Sequence, residues 1–157
     1  MNKFLIVIIL ISTTFGQSFK DLTERPIYNP IKIEKPILFD GIVDTKEWSK
    51  AQVATNFNGS GTFQGQPSDL RTEARLFYDD KNIYVSFKAY VEKENLRYSI
   101  TKRDNLDEKD DRVWINIDAF DDEALTYGIG VSAGGIQIDG RATYGFDKSL
   151  DLIYDSK

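Results

Sequence analysis

Cysteine and histidine are both absent from this 157-residue chain. Without thiols there is no disulfide framework and no cysteine nucleophile. Without histidine, Ser-His-Asp triads, His-ligated zinc and the usual general base at neutral pH are also excluded. Few catalytic repertoires survive. Positive charge is short as well, since 20 Lys and Arg stand against 25 Asp and Glu, a formal net charge of −5. Nucleic acid and anionic lipid surfaces reward the opposite balance, so neither is an expected partner. Long apolar runs are missing except at residues 4–11 (FLIVIILI), and a spanning helix needs roughly 20 apolar residues.

That run is flanked as an export leader is. Lys3 supplies the positive end, residues 12–16 are small and polar, and Thr14 and Gly16 suit cleavage before Gln17. Residues 1–16 therefore read as a cleavable signal peptide, and the expected destination is the periplasm, the outer membrane or the cell surface. No cysteine stands near the cut, which excludes lipid attachment there. About 140 residues remain, enough for one domain with a real core.

Residues 17–30 are polar, contain Pro26 and Pro30, and read as a linker or loose lead-in. From Ile31 to Phe39 apolar residues alternate as in a strand, closed by a turn at Asp40-Gly41. A short helical turn is expected near 44–50, with Asp44 as N-cap and Glu47 in the capping-box position. Residues 58–69 are rich in Gly, Gln and Ser and read as a loop. In 71–78, Thr72, Ala74, Leu76 and Tyr78 share one face and Arg71, Glu73 and Arg75 the other. Ile83, Val85, Phe87 and Ala89 then alternate with Tyr84, Ser86 and Lys88 after a polar turn, which predicts an antiparallel hairpin. Further strands are expected at 113–118, 127–132 and 136–139. Short strands with Gly and Asp turns indicate an all-β fold, an antiparallel β-sandwich of jelly-roll type, over residues 31–157. Residues 149–154 look like one more strand, and the sequence is expected to be the front portion of a longer protein, its domain incomplete at the C-terminus.

The order of these motifs carries a resemblance. Phe39-Asp40-Gly41 through Asp44, Glu47 and Trp48 resembles the opening of family 9 carbohydrate-binding-module-like domains. Residues 72–85, with Tyr78-Asp79-Asp80 and Tyr84-Val85, look like that family's hairpin. Residues 111–118 and 127–140 are similar to its later strands, with Ser132 and Ala133 where the family often has Asn and Pro. The resemblance runs from about Lys35 to Tyr144 and is greatest to the variant at the N-terminus of bacterial, Bacteroidota-like outer-membrane-associated proteins. It implies a sandwich of two antiparallel sheets that continues past Lys157, with a membrane barrel beyond.

Sugars bind by stacking C–H faces on aromatic rings, with planar polar side chains holding the hydroxyls. Trp114 stands on the polar side of its strand beside Asn116 and Asp118, and Tyr84 on the polar face of the hairpin; Arg103 is a candidate helper. Either Trp114 faces outward, or a second sheet or loop covers it, since large rings are mostly buried. Asp107, Asp110 and Asp111 are the calcium candidates, because Ca²⁺ wants several hard oxygen ligands and the family resemblance allows structural calcium, but the spacing is not that of an EF-hand. A solvated acidic loop explains the same residues. No cofactor is otherwise called for. No pair of carboxylates is singled out as a glycosidase would require.

The expected function is a non-catalytic carbohydrate-binding module of an exported cell-envelope protein, its partner a polysaccharide or oligosaccharide. Membrane association would come only through a region beyond Lys157. Two alternatives stand beside it: a structural appendage of an outer-membrane barrel without sugar binding, and an accessory domain of a glycoside hydrolase whose catalytic part lies beyond Lys157.

Overall fold

The computed structural model describes residues 27–43, 45–58, 66–105, 107, 109–121, 124–143, 146–147 and 151–157. The expected leader, residues 17–26 of the expected lead-in, Asp44 with its expected N-cap role, and most of the expected 58–69 loop lie outside them. Among the described residues no helix is long and apolar enough to cross a membrane.

The hairpin forms where alternation predicts it. Strand β2 (Thr72–Tyr78) pairs antiparallel with β3 (Ile83–Ala89), in a register running from Thr72 opposite Ala89 to Tyr78 opposite Ile83. The turn between them is held by Asp79, whose Oδ1 accepts the backbone N–H groups of Lys81 and Asn82, each at 2.7 Å. This is the local bonding that makes Asp a turn residue.

The first strand differs from expectation. Strand β1 covers only Ile31–Lys32, and it joins the other edge of β2 in parallel, with Ile31 opposite Phe77. One further bond, Ile33 N–H to the Tyr78 carbonyl, extends the pairing. The chain then bends at Glu34 and Lys35, and Pro36 has no N–H with which to resume a ladder. The preceding residues are not loose: the Tyr28 hydroxyl donates to the Gln52 carbonyl and accepts the Leu76 N–H at 2.9 Å.

The helical turn, α1, is Thr45–Trp48. It lays the Trp48 ring on Phe77, with centroids 5.2 Å apart and 30° between planes. Trp48, Ala51 and Phe77 form a buried cluster, with Ile33, Ile37, Val43 and Tyr84 packed against it. Phe77 is thus the most buried apolar side chain of the hairpin, at 2% exposure, although it falls on the face of Glu73 and Arg75. Alternation misjudged that face because α1 covers one end of it.

The second sheet has the order β4-β5-β6-β7: β4 Arg112–Asp118, β5 Thr126–Ser132, β6 Gln137–Ala142 and β7 Phe146–Asp147, all antiparallel. The β5–β6 turn is drawn tight by the Ser132 hydroxyl, which accepts the N–H groups of Gly134 and Ile136. Gly135 takes the left-handed conformation there, at φ 79°. The two sheets face one another across a space of about 790 Å³ lined by Val85 and Phe87 on one side and by Val113, Ile115, Ile129 and Val131 on the other. The fold is the β-sandwich the sequence predicts, with one parallel pair, β1–β2, among the described residues.

Candidate functional site

Because Val113, Ile115 and Ile117 point into the space between the sheets, the alternate residues of β4 stand on the outer face. Those are Trp114, Asn116 and Asp118. Trp114 is half-buried, while Asn116 and Asp118 are exposed. The register sets Trp114 opposite Gly130 and Asn116 opposite Gly128. The indole lies across both glycines: a Cβ built on Gly128 would sit 2.1 Å from Trp114 Cζ2, and one on Gly130 2.2 Å from Cε3. Only glycine leaves room for a ring at that height. The indole Nε1–H donates to Asn116 Oδ1 at 2.7 Å, which sets the ring's rotation. Asn116 keeps its amide N–H groups as donors, and Asp118, whose Oδ1 accepts the Phe120 N–H, supplies carboxylate acceptors. A ring, an amide and a carboxylate along one outer strand face can stack on a sugar and bond its hydroxyls.

Sequence reading passed over Gly128 and Gly130 as partners of the ring. Their signal was present: glycines two apart in a strand share a face, and such a pair marks where another group comes close.

The other two ligand candidates are placed elsewhere. Tyr84 belongs to the first sheet, packs against the Trp48–Phe77 cluster, and donates its hydroxyl to Asp79 Oδ2 at 2.8 Å. The Asp79 carboxylate beside it raises the Tyr84 hydroxyl above its ordinary pKa. The same turn holds Asp79 down at about 2, through the Lys81 N–H first and the Tyr84 hydroxyl next. Tyr84 braces a turn.

Arg103 is a counter-ion. Its guanidinium pairs with Asp139, which is fully buried, and also with Asp104 and Asp151. It donates further to Gln137 Oε1 at 2.6 Å and to the Leu152 carbonyl at 2.8 Å. Asp139 sits opposite Ile129, on the inward side of β6, where a lone carboxylate would be costly. That requirement engages Arg103 and draws it away from the Trp114 face.

A family model described as carbohydrate family 9 binding domain-like matches residues 39–153. The chain belongs to this family. No curated protein and no solved structure matches it. Family membership makes this family 9-like domain a carbohydrate-binding module, of a kind that is in general non-catalytic. The match spans the β4–β5 pair that carries Trp114 and its glycines.

The domain's acidic residues do not assemble a calcium site at the expected positions. Asp107 Oδ1 accepts the Lys109 N–H, Asp111 Oδ2 accepts the Arg97 N–H, and Asp110 is buried with Oδ1 on the Ser99 hydroxyl. Asp110 Oδ2 is buried without a partner, but the other two carboxylates do not converge on it. Among the described residues, the one group of three or more carboxylates whose oxygens meet within 4.8 Å is Asp104, Asp139 and Asp151. All three already pair with Arg103. A divalent cation there would face a guanidinium at ion-pair distance, so this donor set does not fit calcium.

Proposed function

We propose that this domain holds a glycan on the outer face of β4, with Trp114 as the stacking ring and Asn116 and Asp118 bonding the hydroxyls. The observation that supports this reading best is the indole laid over Gly128 and Gly130 and locked by Asn116. A ring fixed in advance loses little freedom when a sugar arrives, which favours binding. The domain acts as a targeting module of an exported envelope protein. The apolar run at residues 4–11 and the small residues at Thr14 and Gly16 support export.

A glycan-array screen of the full chain tests sugar binding, followed by titration of Trp114→Ala against whichever glycan responds. The expected result is an affinity loss of about tenfold or more, in line with the worth of an aromatic stack, and an unchanged urea midpoint. Silence on the array, or undiminished affinity in Trp114→Ala, overturns the reading. Export is tested by fractionating cells that express the full chain and sequencing the N-terminus, which should begin at Gln17.

The same contact with the glycines also favours a second reading, a purely structural domain in which Trp114 fills the sheet face. In that case Trp114→Ala lowers stability, and no glycan responds.

A further inference from the structure

The outer face of the first sheet carries a cationic cluster in a chain whose formal net charge is −5. Glu73 and Arg75 lie on the face of β2 turned away from Val85 and Phe87, Arg71 immediately precedes the strand, and Lys88 stands opposite Glu73 on β3. Tyr90 follows β3, its N–H bonded to the Arg71 carbonyl at 2.9 Å. Glu73 is buried and accepts from Arg71, from Arg75 at 3.0 Å and from the Tyr90 hydroxyl at 3.2 Å. The Arg71 bond, foremost among these, holds its carboxyl below the ordinary value. It is therefore an ionised anchor that fixes the cations around it. The Arg71 guanidinium carbon lies 4.7 Å from the centre of the Tyr90 ring, and Lys88 Nζ lies 5.2 Å from it.

Counted as whole charges, three cations surround one carboxylate, so the cluster keeps an excess of positive charge. The Arg71 side chain is 67% exposed and donates one bond to Glu73, leaving most of its planar fork for a second anion. Lys88 is exposed beside it. We infer that this face is a second glycan site, one that takes an anionic sugar through Arg71 and Lys88, with Glu73 and Tyr90 as the residues that position them. The inference rests on the reading of the chain as a glycan-binding module and names the class of sugar, a uronate or a sulfate ester. Arg71 suits either group as a two-pronged donor, and Lys88 adds a point charge. Elsewhere the protein's negative charge repels polyanions, so attachment should be local to this face.

Affinity electrophoresis of the full chain through gels containing polygalacturonate, dextran sulfate or plain dextran tests the site. Retardation in polygalacturonate alone assigns a carboxylate ligand, in dextran sulfate alone a sulfate ester, and in both their shared anionic chemistry. No retardation in either anionic gel, or equal retardation in plain dextran, overturns the inference. Arg71→Gln and Lys88→Gln, both at exposed positions, should each weaken binding by about tenfold. Undiminished binding in both variants also overturns it. Trp114→Ala should leave binding to the acidic polymer unchanged while removing the response to the array glycan, so that failure of one site is told apart from failure of the other. If Trp114→Ala alone abolishes retardation in the anionic gels, the second site does not exist.

Discussion

Arg103 and Asp139, 36 positions apart, form an ion pair in which the aspartate has no exposed surface. The second carboxylate oxygen accepts the Leu152 N–H at 2.5 Å, and the guanidinium donates to the Leu152 carbonyl. One pair thus fastens three segments: the turn at residues 103–104, strand β6 and residues 151–154. Tyr154 completes the attachment, its hydroxyl donating to the Gly130 carbonyl at 2.7 Å and accepting the Ile138 N–H at 2.9 Å.

Removing one member of this pair should cost far more than replacing both. Arg103→Met leaves a buried carboxylate without its counter-ion, and a loss of about 3–5 kcal/mol is expected. The double variant Arg103→Met with Asp139→Leu should recover part of that loss. Urea unfolding of the two variants beside the parent chain measures the difference.

A methyl group at Gly130 should evict the Trp114 ring. The added Cβ would stand 2.2 Å from Cε3, inside any permissible contact. Gly130→Ala should cost about 1–3 kcal/mol through overpacking, shift the tryptophan emission to the red, and weaken glycan binding as Trp114→Ala does. Fluorescence and urea titration check both effects.

Trp48 is the counter-example among the tryptophans. It is 6% exposed and stacked on Phe77, so Trp48→Ala should cost about 3–5 kcal/mol as a large core truncation. Thermal unfolding should separate it clearly from Trp114→Ala, whose expected effect is on binding.

The Asp79 turn sets an acid limit. Its carboxyl is lowered from 3.8 to about 2 in the folded protein. A lowered carboxyl contributes stability that is fully present above its unfolded value and lost as pH falls through its folded one. The turn should therefore hold above pH 3.8 and loosen as the pH approaches about 2. Amide exchange at Lys81 and Asn82 followed across that range should show it, and Asp79→Ala should remove the dependence.

Much of this architecture was legible in the chain. Alternation located β2, β3, β4, β5 and β6, because a strand with one face toward a core must repeat every second residue. The side of β4 that carries Trp114, Asn116 and Asp118 was legible for the same reason. The misreadings have a common origin. The face of Arg71, Glu73 and Arg75 reads as polar, yet it also carries the buried Phe77, because the cover comes from α1, far earlier in the chain. Ile31–Phe39 looked like a full strand because periodicity does not reveal the bend that precedes Pro36.

By itself, the sequence determined the all-β class, the hairpins and the lack of thiol or imidazole chemistry, since these depend on composition and on nearest neighbours. Tertiary structure decided what each polar or aromatic side chain does. Tyr84 and Arg103 have the same hydrogen-bonding capacity on paper as any sugar-binding residue, yet Asp79 and Asp139 engage them. Trp114 stays on the outer face, over two glycines that only the β4–β5 register brings beneath it. A side chain's capacity is written in its chemistry, but the partner that uses that capacity is fixed by which strands meet, and a buried charge will take its counter-ion before any ligand can.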